Sequence, residues 1–353
     1  MKSKVYELVE PYTVKEVIKE RELKSNWVAV TPKLGCICHA DLRYFTGSRS
    51  PEVLAKKLPM ALIHEGIGEV IESKSDKFQP GDRVVIVPNI PARVLGTPVE
   101  EGEVDQYSKN GKFMGRGYDG IAQSVVVHPA ECLVKIPDNV IDDIAALTEM
   151  SSIPVSAVRN IQDALNKEDA QIAIFGDGPL GYFTAAYIKN KYNLDTDHFT
   201  VFGADTEKLH KFDFARVENV LTYDFSAPDK VYDIVFECTG GRFSESAINQ
   251  AIQISNTLGK IVLMGVSEQR VPINTRDVLE KGLTMYGSSR SITEDFETVI
   301  ELLETSDAYQ TALKKLLPES TRIVKNADDF HDVMKYAAET PHWNKIIMEF
   351  DWN

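Results

Sequence analysis

The stretch QIAIFGDGPLGYFTAAYIKNKY, residues 171–192, decides the fold of this chain. A short apolar segment is followed by Gly176, Gly178 and Gly181 in a G-x-G-x-x-G spacing, and a helical pattern begins after them. Glycine at these positions allows a tight turn and a close backbone approach, so a pyrophosphate can lie on the helix N-terminus. The stretch therefore predicts a strand, a loop and a helix that bind a dinucleotide. Asp177 is an objection, because it brings negative charge near the pyrophosphate unless its side chain points away.

The sequence around this stretch extends the prediction. Further buried-strand patterns lie at residues 198–202, 232–238, 260–266 and 283–289, with a helical pattern at 243–255. Strands that alternate with helices predict a parallel, doubly wound α/β sheet. The first 150 residues have the pattern of short strands and turns, and the polar stretch 91–120 indicates a surface loop. After residue 290 we predict two helices and a closing strand.

The second strand of this sheet bears on the choice of dinucleotide. An acid about 20 residues after the glycines would accept the ribose 2′-OH of NAD, but this strand ends on Phe202 and Gly203. Lys208 and Lys211 follow, and either could meet the 2′-phosphate of NADP. Both lysines could equally be solvent-exposed on a helix, and Asp205 would be the missing acid if the strand were longer. The pattern favours NADP.

Length and charge limit the class of protein. A chain of 353 residues predicts about two domains. Its 39 Lys and Arg against 53 Asp and Glu give a net charge of −14, which argues against nucleic acid or an anionic membrane as a partner. We find neither a targeting segment nor a run apolar enough to span a membrane. Four scattered cysteines do not form a disulfide framework, so we expect a soluble, cytoplasmic protein.

Several candidate metal ligands occur in the first half of the chain. His64 and Glu65 interrupt the apolar segment ALIHEGIGEV (61–70), and Cys38 and Glu149 offer further donors of the types that zinc accepts. Each has a structural explanation as well. Cys38 could be a small buried apolar residue, His64 a core histidine with satisfied hydrogen bonds, and Glu149 an acid in the first turn of a helix. Spacing alone leaves both interpretations open.

The order of the motifs resembles the zinc-dependent medium-chain dehydrogenase/reductase family over essentially the whole chain. The motifs that carry this resemblance are Cys38–Asp41, HEGIGEV (64–70), PGDRV (80–84), DGIAQSVVV (119–127), the region of Glu149, GDGPLG (176–181), FECTGG (236–241) and GVS (265–267). Within the family, the chain is most similar to the ribulose-5-phosphate reductases that make ribitol 5-phosphate for teichoic acid and capsule precursors. The motifs for that are CHADLRYFTGSR (38–49), KLPMALIHEG (57–66), GGRFSESAIN (240–249) and the run 265–291.

The resemblance implies a fold and a metal site. The fold would be a GroES-like β-rich catalytic domain, residues 1–155 and 290–353, around a Rossmann dinucleotide-binding domain, residues 156–289. The catalytic zinc would be bound by Cys38, His64, Glu65 and Glu149. Asp41 would orient the ligand imidazole.

The donor set leads to three further expectations. Neighbouring strand residues point to opposite faces, so His64 and Glu65 reach one ion only if the backbone turns, which Gly66 would permit. One thiolate and two carboxylates outweigh the charge of Zn²⁺, so we expect either Glu65 or Glu149 to leave the metal when substrate binds. Residues 89–120 contain no cysteine, which predicts one catalytic zinc without the structural zinc of many relatives.

The resemblance also implies a reaction. NADPH would reduce D-ribulose 5-phosphate, with the nicotinamide near Val266 and Ser267. The substrate phosphate would need a local cationic site, for which Arg43 and Tyr44 are the first candidates and Arg49 and Arg116 follow. Many alcohol dehydrogenases have Ser or Thr where this chain has Ala40, so the proton would pass through zinc-bound water, a glutamate or Thr46.

Partners and competing functions follow from the same resemblance. We expect a homodimer, and an associated ribitol-5-phosphate cytidylyltransferase is plausible for the active enzyme. Two other functions compete with the reductase. One is an NAD-dependent dehydrogenase of an unphosphorylated polyol, and the other is a non-catalytic, nucleotide-binding scaffold for the cytidylyltransferase.

Overall fold

The fold is given by a computed structural model of the chain, which describes residues 1–167, 169–340 and 342–353. The strands are β1 (Lys2–Glu10), β2 (Thr13–Glu20), β3 (Trp27–Cys36), β4 (Met60–Ala61), β5 (Glu65–Ser73), β6 (Arg83–Ile86), β7 (Asn89–Ile90), β8 (Lys112–Phe113), β9 (Val126–Pro129), β10 (Leu133–Lys135), β11 (Ile172–Phe175), β12 (Phe199–Gly203), β13 (Arg216–Asn219), β14 (Tyr232–Glu237), β15 (Ser255–Leu263), β16 (Thr284–Gly287), β17 (Arg322–Val324) and β18 (Ile347–Phe350).

The helices are α1 (His39–Phe45), α2 (Pro51–Lys57), α3 (Ala92–Leu95), α4 (Asp142–Ala145), α5 (Thr148–Val158), α6 (Gln162–Leu165), α7 (Pro179–Tyr192), α8 (Thr206–Leu209), α9 (Ser244–Ile254), α10 (Thr275–Lys281), α11 (Thr293–Thr305), α12 (Asp307–Lys314) and α13 (Ala327–Glu339). Among the described residues, we find no helix that combines the length and the apolar character needed to cross a bilayer.

The chain divides into two compact units. The terminal unit contains both ends of the chain and consists of Met1–Ser152, Arg290–Gln310 and Leu316–Asn353. The central unit consists of Ile153–Ser289 and the short segment Thr311–Lys315. That segment packs with the central unit although it lies in the stretch expected for the catalytic domain. The division means that chain order alone does not decide which unit a residue joins.

The central unit has the predicted doubly wound architecture. Its six strands are parallel, in the order β13-β12-β11-β14-β15-β16, which is the arrangement typical of dinucleotide-binding folds. Every residue of β11 is buried, as expected for a parallel strand covered on both faces. Phe175 of β11 is opposite Phe202 of β12, and their stacked rings have centres 4.8 Å apart. The register places the carboxyl ends of β11 and β12 at the same edge.

The terminal unit is built around β3. This strand pairs with β5, β9 and β18, all antiparallel, in a sheet whose main order is β10-β6-β5-β3-β18-β17. Cys36 at the end of β3 lies opposite Glu65 of β5 on one side and Ile347 of β18 on the other. Segments from the beginning and the end of the chain therefore meet at one end of β3. The predicted GroES-like, β-rich catalytic domain is consistent with this sheet.

The predicted elements agree with the structure in type, with small shifts at their ends. The segment predicted as a strand at 283–289 forms β16, and the helical pattern at 243–255 forms α9. The stretch 91–120, predicted as a loop, contains the short helix α3 and the two-residue strand β8. Among the described residues after 290 the structure has three helices, α11 to α13, where the sequence predicted two.

Candidate active site

Three of the four predicted metal ligands lie together in the terminal unit. One donor atom each from Cys38, His64 and Glu65 lie within 4.8 Å of one another. His64 and Glu65 are buried, and Cys38 is half-buried. Thiolate, imidazole and carboxylate at this spacing form a donor set of the kind that zinc accepts.

The backbone turns at Ile63 to bring these donors together. Cys38 immediately precedes α1, and Glu65 is the first residue of β5. His64 lies before the strand begins, and Ile63 has a φ of 68°, a left-handed conformation that is rare for a β-branched residue. The expectation that Gly66 permits the turn is wrong. Gly66 is needed because a Cβ there would lie 2.3 Å from the carbonyl oxygen of Leu34.

Asp41 links, through hydrogen bonds, the segment of Cys38 to the segment of Ile63 and His64. One carboxylate oxygen accepts a hydrogen bond from the backbone N–H of Cys38 at 3.1 Å. The other lies 3.2 Å from Nδ1 of His64 and accepts the backbone N–H of Ile63 at 3.2 Å. Asp41 is almost fully buried. An acceptor on Nδ1 leaves Nε2 of His64 as the nitrogen available to a metal.

Lys345 is a residue beside the donor cluster that the sequence prediction missed. Its ammonium nitrogen lies 2.7 Å from Oε2 of Glu65, and the side chains are 7% and 0% exposed. It also donates to the carbonyl oxygen of Ile37 at 3.0 Å. Burial lowers the pKa of Lys345, but Glu65 and the neighbouring cysteines outweigh this effect and raise it. Lys345 is therefore a buried cation that faces the donor cluster.

This lysine corrects the charge count made from the sequence. That count set one thiolate and two carboxylates against Zn²⁺ and found an excess of negative charge. Lys345 offsets one carboxylate without displacing either glutamate. The charge argument for a mobile glutamate is therefore weaker than the sequence suggested.

Glu149 lies near the cluster but outside the group of three. It is in the first turn of α5 and is buried. Burial, with a further contribution from Glu65, raises the pKa of its carboxyl group. Charges on His64, Lys345 and Asp41 also act on it, so Glu149 borders the same polar pocket.

The donor cluster fits a divalent cation. In the described part of the chain, Oε1 of Glu65 is buried and accepts no hydrogen bond, which is costly unless a cation binds there. Burial and the charge of Glu65 raise the pKa of the Cys38 thiol. Burial lowers the pKa of His64, but Asp41 and Cys38 raise it well above its usual range. A bound metal would stabilise the thiolate and the neutral imidazole instead.

The predicted phosphate-binding residues are grouped around α1. Arg43 and Tyr44 are in α1, and the guanidinium carbon of Arg49 lies 5.2 Å from the ring centre of Tyr44. Burial, and then the charges of Arg43 and Arg49, lower the pKa of His39. The structure therefore gathers this cationic group on one side of the helix that follows Cys38. Thr46, the candidate proton relay, donates its hydroxyl hydrogen to the carbonyl of Leu42.

Arg116 belongs to a second cationic group. Its charge contributes to lowering the pKa of Lys57 and of Arg290, in both cases after burial. The guanidinium of Arg290 lies 6.0 Å from the ring centre of Phe113, whose ring centre is 5.5 Å from that of His64. Arg290 was missed in the sequence, because nothing in its local pattern distinguishes it from a surface arginine.

The glycine loop of the central unit leaves space for a cofactor. Gly176 follows β11 with a φ of 132°, and a Cβ on Gly181 would lie 1.9 Å from the carbonyl oxygen of Gly176. At Gly178, which precedes α7, an added Cβ would meet nothing within 4 Å. This open surface at the N-terminus of a 14-residue helix fits a pyrophosphate.

At the end of β12, the structure shows a carboxylate contact that the sequence interpretation did not include. The strand ends at Gly203, as predicted, and Lys208 is in α8 with its ammonium nitrogen 3.5 Å from a carboxylate oxygen of Asp205. Asp177 faces this strand end. Its Oδ2 accepts the backbone N–H groups of Ala204 and Asp205, both at 2.8 Å.

Val266 and Ser267 lie in the loop after β15. The carbonyl oxygen of Val266 accepts the N–H of Gly241 at 2.9 Å. The buried carboxylate of Glu237, at the end of β14, accepts the N–H of Gly265 at 3.2 Å. These bonds join the loops after β14 and β15. Glu237 was not predicted, although a carboxylate that ends an apolar strand is a visible signal.

Known protein families and relatives match residues of both the terminal unit and the central unit. The family model described as the alcohol dehydrogenase GroES-like domain matches residues 24–138, and the zinc-binding dehydrogenase model matches residues 212–305. A ribulose-5-phosphate reductase of Bacillus spizizenii is 38% identical over 99% of this chain and 100% of its own. Ribulose-5-phosphate reductase 1 of Staphylococcus aureus is 40% identical over 86% of each chain.

A solved structure agrees with these relatives over the whole length. The crystal structure of S. aureus TarJ in complex with NADPH matches with a TM-score of 0.84 and 32% identity, over 99% of this chain and 100% of that one. Matches of this extent include both the β-rich unit with its donor cluster and the unit with the glycine loop. The chain belongs to the zinc-dependent medium-chain dehydrogenase/reductase family, in the group of the ribulose-5-phosphate reductases.

Proposed function

We propose that this chain reduces D-ribulose 5-phosphate to D-ribitol 5-phosphate with NADPH, as an oxidoreductase acting on a CH–OH group. The observation that carries the proposal is the buried cluster of Cys38, His64 and Glu65, in a chain 38% identical over nearly its full length to a protein named as a ribulose-5-phosphate reductase. The product would feed CDP-ribitol and poly(ribitol phosphate) wall teichoic acid synthesis.

Cys38, His64 and Glu65 would hold one catalytic zinc, with Glu149 as the fourth candidate. When bound, the zinc polarises the substrate carbonyl and stabilises negative charge on its oxygen. Residues of the chain itself position the donor side chains for this zinc. Asp41 fixes the ring of His64 through Nδ1, and Glu65 is held at the start of a strand. Glu149, outside the group of three, is the better candidate for a ligand that leaves when substrate binds.

Lys345 has a separate role in this proposal. It neutralises Glu65 from the protein side, so the local charge around the substrate carbonyl is less negative than the donors alone would make it. A less anionic site favours the accumulation of negative charge on the carbonyl oxygen during reduction.

NADPH would bind to the central unit and donate the hydride. Gly176, Gly178 and Gly181 would lie against its pyrophosphate, and Gly203 and Lys208 would border its ribose 2′-phosphate. Val266 and Ser267 would lie near the nicotinamide. The hydrogen bond between Gly241 and Val266 supports this placement, since it gives the loop a defined position.

The substrate phosphate would bind to Arg43, Tyr44 and Arg49, a group of two arginines and a tyrosine that follows Cys38. The ring of Tyr44 packs against the guanidinium of Arg49, which restricts the orientation of that cation. Planar guanidinium groups bind phosphate through paired N–H donors. Arg116, in the second cationic group, is an alternative that the same experiment can separate.

We further propose that the protein is a cytoplasmic homodimer and that the ribitol-5-phosphate cytidylyltransferase is a possible partner. The supporting observation for the dimer lies in the central unit. β16 forms one edge of the six-stranded sheet, and Leu258 and Leu279 are 73% and 79% exposed. A second copy would cover apolar surface of this kind. The free thiols of the four cysteines are compatible with the reducing cytoplasm.

A second candidate function is the NAD-dependent oxidation of an unphosphorylated polyol. It is favoured by one observation, the Asp177 carboxylate at the end of β12, because a carboxylate at that edge suits a ribose 2′-OH. The two functions differ in both cofactor and substrate, so one assay separates them.

The test is NADPH oxidation with D-ribulose 5-phosphate, beside NADH and beside D-ribulose, before and after chelation and after zinc is restored. We expect turnover that needs the phosphate and is lost on chelation. Cys38→Ser should lose zinc and activity, whereas Cys132→Ser, a buried cysteine outside the cluster, should keep both. Arg43→Ala should raise KM for the phosphorylated substrate more than Arg116→Ala. Efficient turnover of D-ribulose with NADH would instead support the polyol dehydrogenase.

A further inference from the structure

The buried carboxylate of Glu237 binds two loops of the central unit. Oε1 accepts the backbone N–H groups of Thr239 at 2.8 Å and Gly240 at 3.1 Å. Oε2 accepts the N–H of Gly265 at 3.2 Å. The first two donors belong to the loop after β14 and the third to the loop after β15. Glu237 is 0% exposed, so these three hydrogen bonds replace water around a charge that would otherwise be costly to bury.

The glycine at position 265 fits this arrangement. A Cβ there would lie 2.7 Å from both carboxylate oxygens of Glu237 and 2.4 Å from the backbone nitrogen of Gly240. The two loops therefore approach each other too closely for a side chain at this point. The carboxylate of Glu237 lies at their junction.

The loop after β14 also contacts the end of β11. The N–H of Cys238 donates to the carbonyl oxygen of Phe175 at 2.8 Å, and the hydroxyl of Thr239 donates to the same oxygen at 3.3 Å. Phe175 is the last residue of β11 and directly precedes the glycine loop. The segment that Glu237 fixes is therefore connected to the start of that loop as well.

The loops that Glu237 joins follow the carboxyl ends of parallel strands, where folds of this kind bind their ligands. Val266, next to Gly265, is 60% exposed, so the joined loops leave it open to a bound molecule. We propose that Glu237 is a positioning residue for the nicotinamide half of NADPH, because its carboxylate fixes the backbone of both loops in the shape that receives the ring. Since Glu237 is fully buried, it acts through the loops. The inference rests on the proposed binding of NADPH to the central unit.

The test is Glu237→Gln, which keeps the size of the side chain but leaves one acceptor oxygen for three N–H donors. Affinity for NADPH is measured by nicotinamide fluorescence, and affinity for 2′,5′-ADP, which contains only the adenosine half, by calorimetry. We expect NADPH affinity to fall about tenfold, as for the loss of one charge-assisted hydrogen bond, and 2′,5′-ADP affinity to change by less than about twofold. A general structural defect would weaken both.

Two variants and one measurement on the wild type accompany this test. Glu280→Gln makes the same exchange in an exposed ion pair of the central unit and should leave both affinities unchanged. Gly265→Ala perturbs the junction from the other loop and should also lower NADPH affinity selectively. In the wild type without cofactor, hydrogen exchange should show that the N–H groups of Thr239, Gly240 and Gly265 are protected.

Three results would overturn the role of Glu237 alone. They are an unchanged NADPH affinity in folded Glu237→Gln, equal losses for NADPH and 2′,5′-ADP, and unprotected N–H groups in the wild type. If Glu237→Gln does not fold, Gly265→Ala and hydrogen exchange decide the question. Failure of the wild-type protein to bind NADPH would overturn the proposed function as well.

Discussion

Replacement of Lys345 by methionine should strongly destabilise the metal-free protein. The change leaves the carboxylate of Glu65, 0% exposed, without its cation at 2.7 Å. Removing one partner of a buried ion pair costs about 3–5 kcal/mol. Loss of the hydrogen bond to the carbonyl of Ile37 adds about 1 kcal/mol. Since domains of this kind are stable by only about 5–15 kcal/mol, Lys345→Met should bring the metal-free terminal unit close to unfolding.

Urea unfolding followed by tryptophan fluorescence is the appropriate assay. The three tryptophans, Trp27, Trp343 and Trp352, all belong to the terminal unit, so the signal reports that unit alone. The midpoint is compared between chelated and zinc-saturated protein. We expect zinc to recover much of the loss, because a second cation then compensates Glu65. Lys345→Arg, which keeps the charge, should lose much less than Lys345→Met.

Two further variants test the reasoning. Lys33 and Glu69 form an exposed ion pair, 46% and 39% exposed, so Lys33→Met should change stability by less than about 1 kcal/mol. In the metal-free protein, Glu65→Gln combined with Lys345→Met should cost less than Lys345→Met alone, because the carboxylate of Glu65 is then removed together with its cation. A Lys345→Met midpoint that matches Lys33→Met would refute the view that Lys345 neutralises a buried carboxylate.

Two other predictions concern the terminal unit. Burial lowers the pKa of His128 to about 4, so only the unfolded chain takes up this proton between about pH 6.5 and 4. The wild type should lose up to about 3 kcal/mol over that range. His128→Gln should show a shallower acid slope in urea unfolding, and an unchanged slope would contradict the assignment. Gly66→Ala should destabilise by about 3 kcal/mol or more, because its Cβ would lie 2.3 Å from the oxygen of Leu34. A Gly66→Ala midpoint in urea unfolding that equals the wild-type midpoint would refute the clash.

The sequence predicted those parts of the fold that depend on local pattern. Residues 171–192 contain an apolar strand, three spaced glycines and a helix, and each of these signals lies within a few residues of the element that it specifies. The order of the motifs then identified the family and, through it, the donors Cys38, His64 and Glu65. The family resemblance supplied what spacing alone left open, namely that these residues lie together.

The features that the sequence did not predict depend on distant contacts. Lys345 is far along the chain from Glu65, and a lysine before an apolar strand has no local signal that it will be buried. The left-handed turn falls on Ile63, a residue type that gives no warning of such a conformation. Asp177 lies in the loop after β11, and the orientation of its side chain depends on the space beside Gly203 at the end of β12. In each case the tertiary fold determines a feature that the local sequence pattern does not predict.

The pairing of β3 with β18 has a consequence for the order in which the protein matures. β3 (Trp27–Cys36) is made well before its partner strand β18 and Lys345, which follow it in the chain by about 300 residues. The strands β11 to β16 of the central sheet are all synthesised before them. The nucleotide-binding unit can therefore form during synthesis, since domains generally fold as units as the chain emerges. The donor cluster gains its lysine only after all the strands of the central sheet have been made, which places completion of the cluster after synthesis of the central sheet.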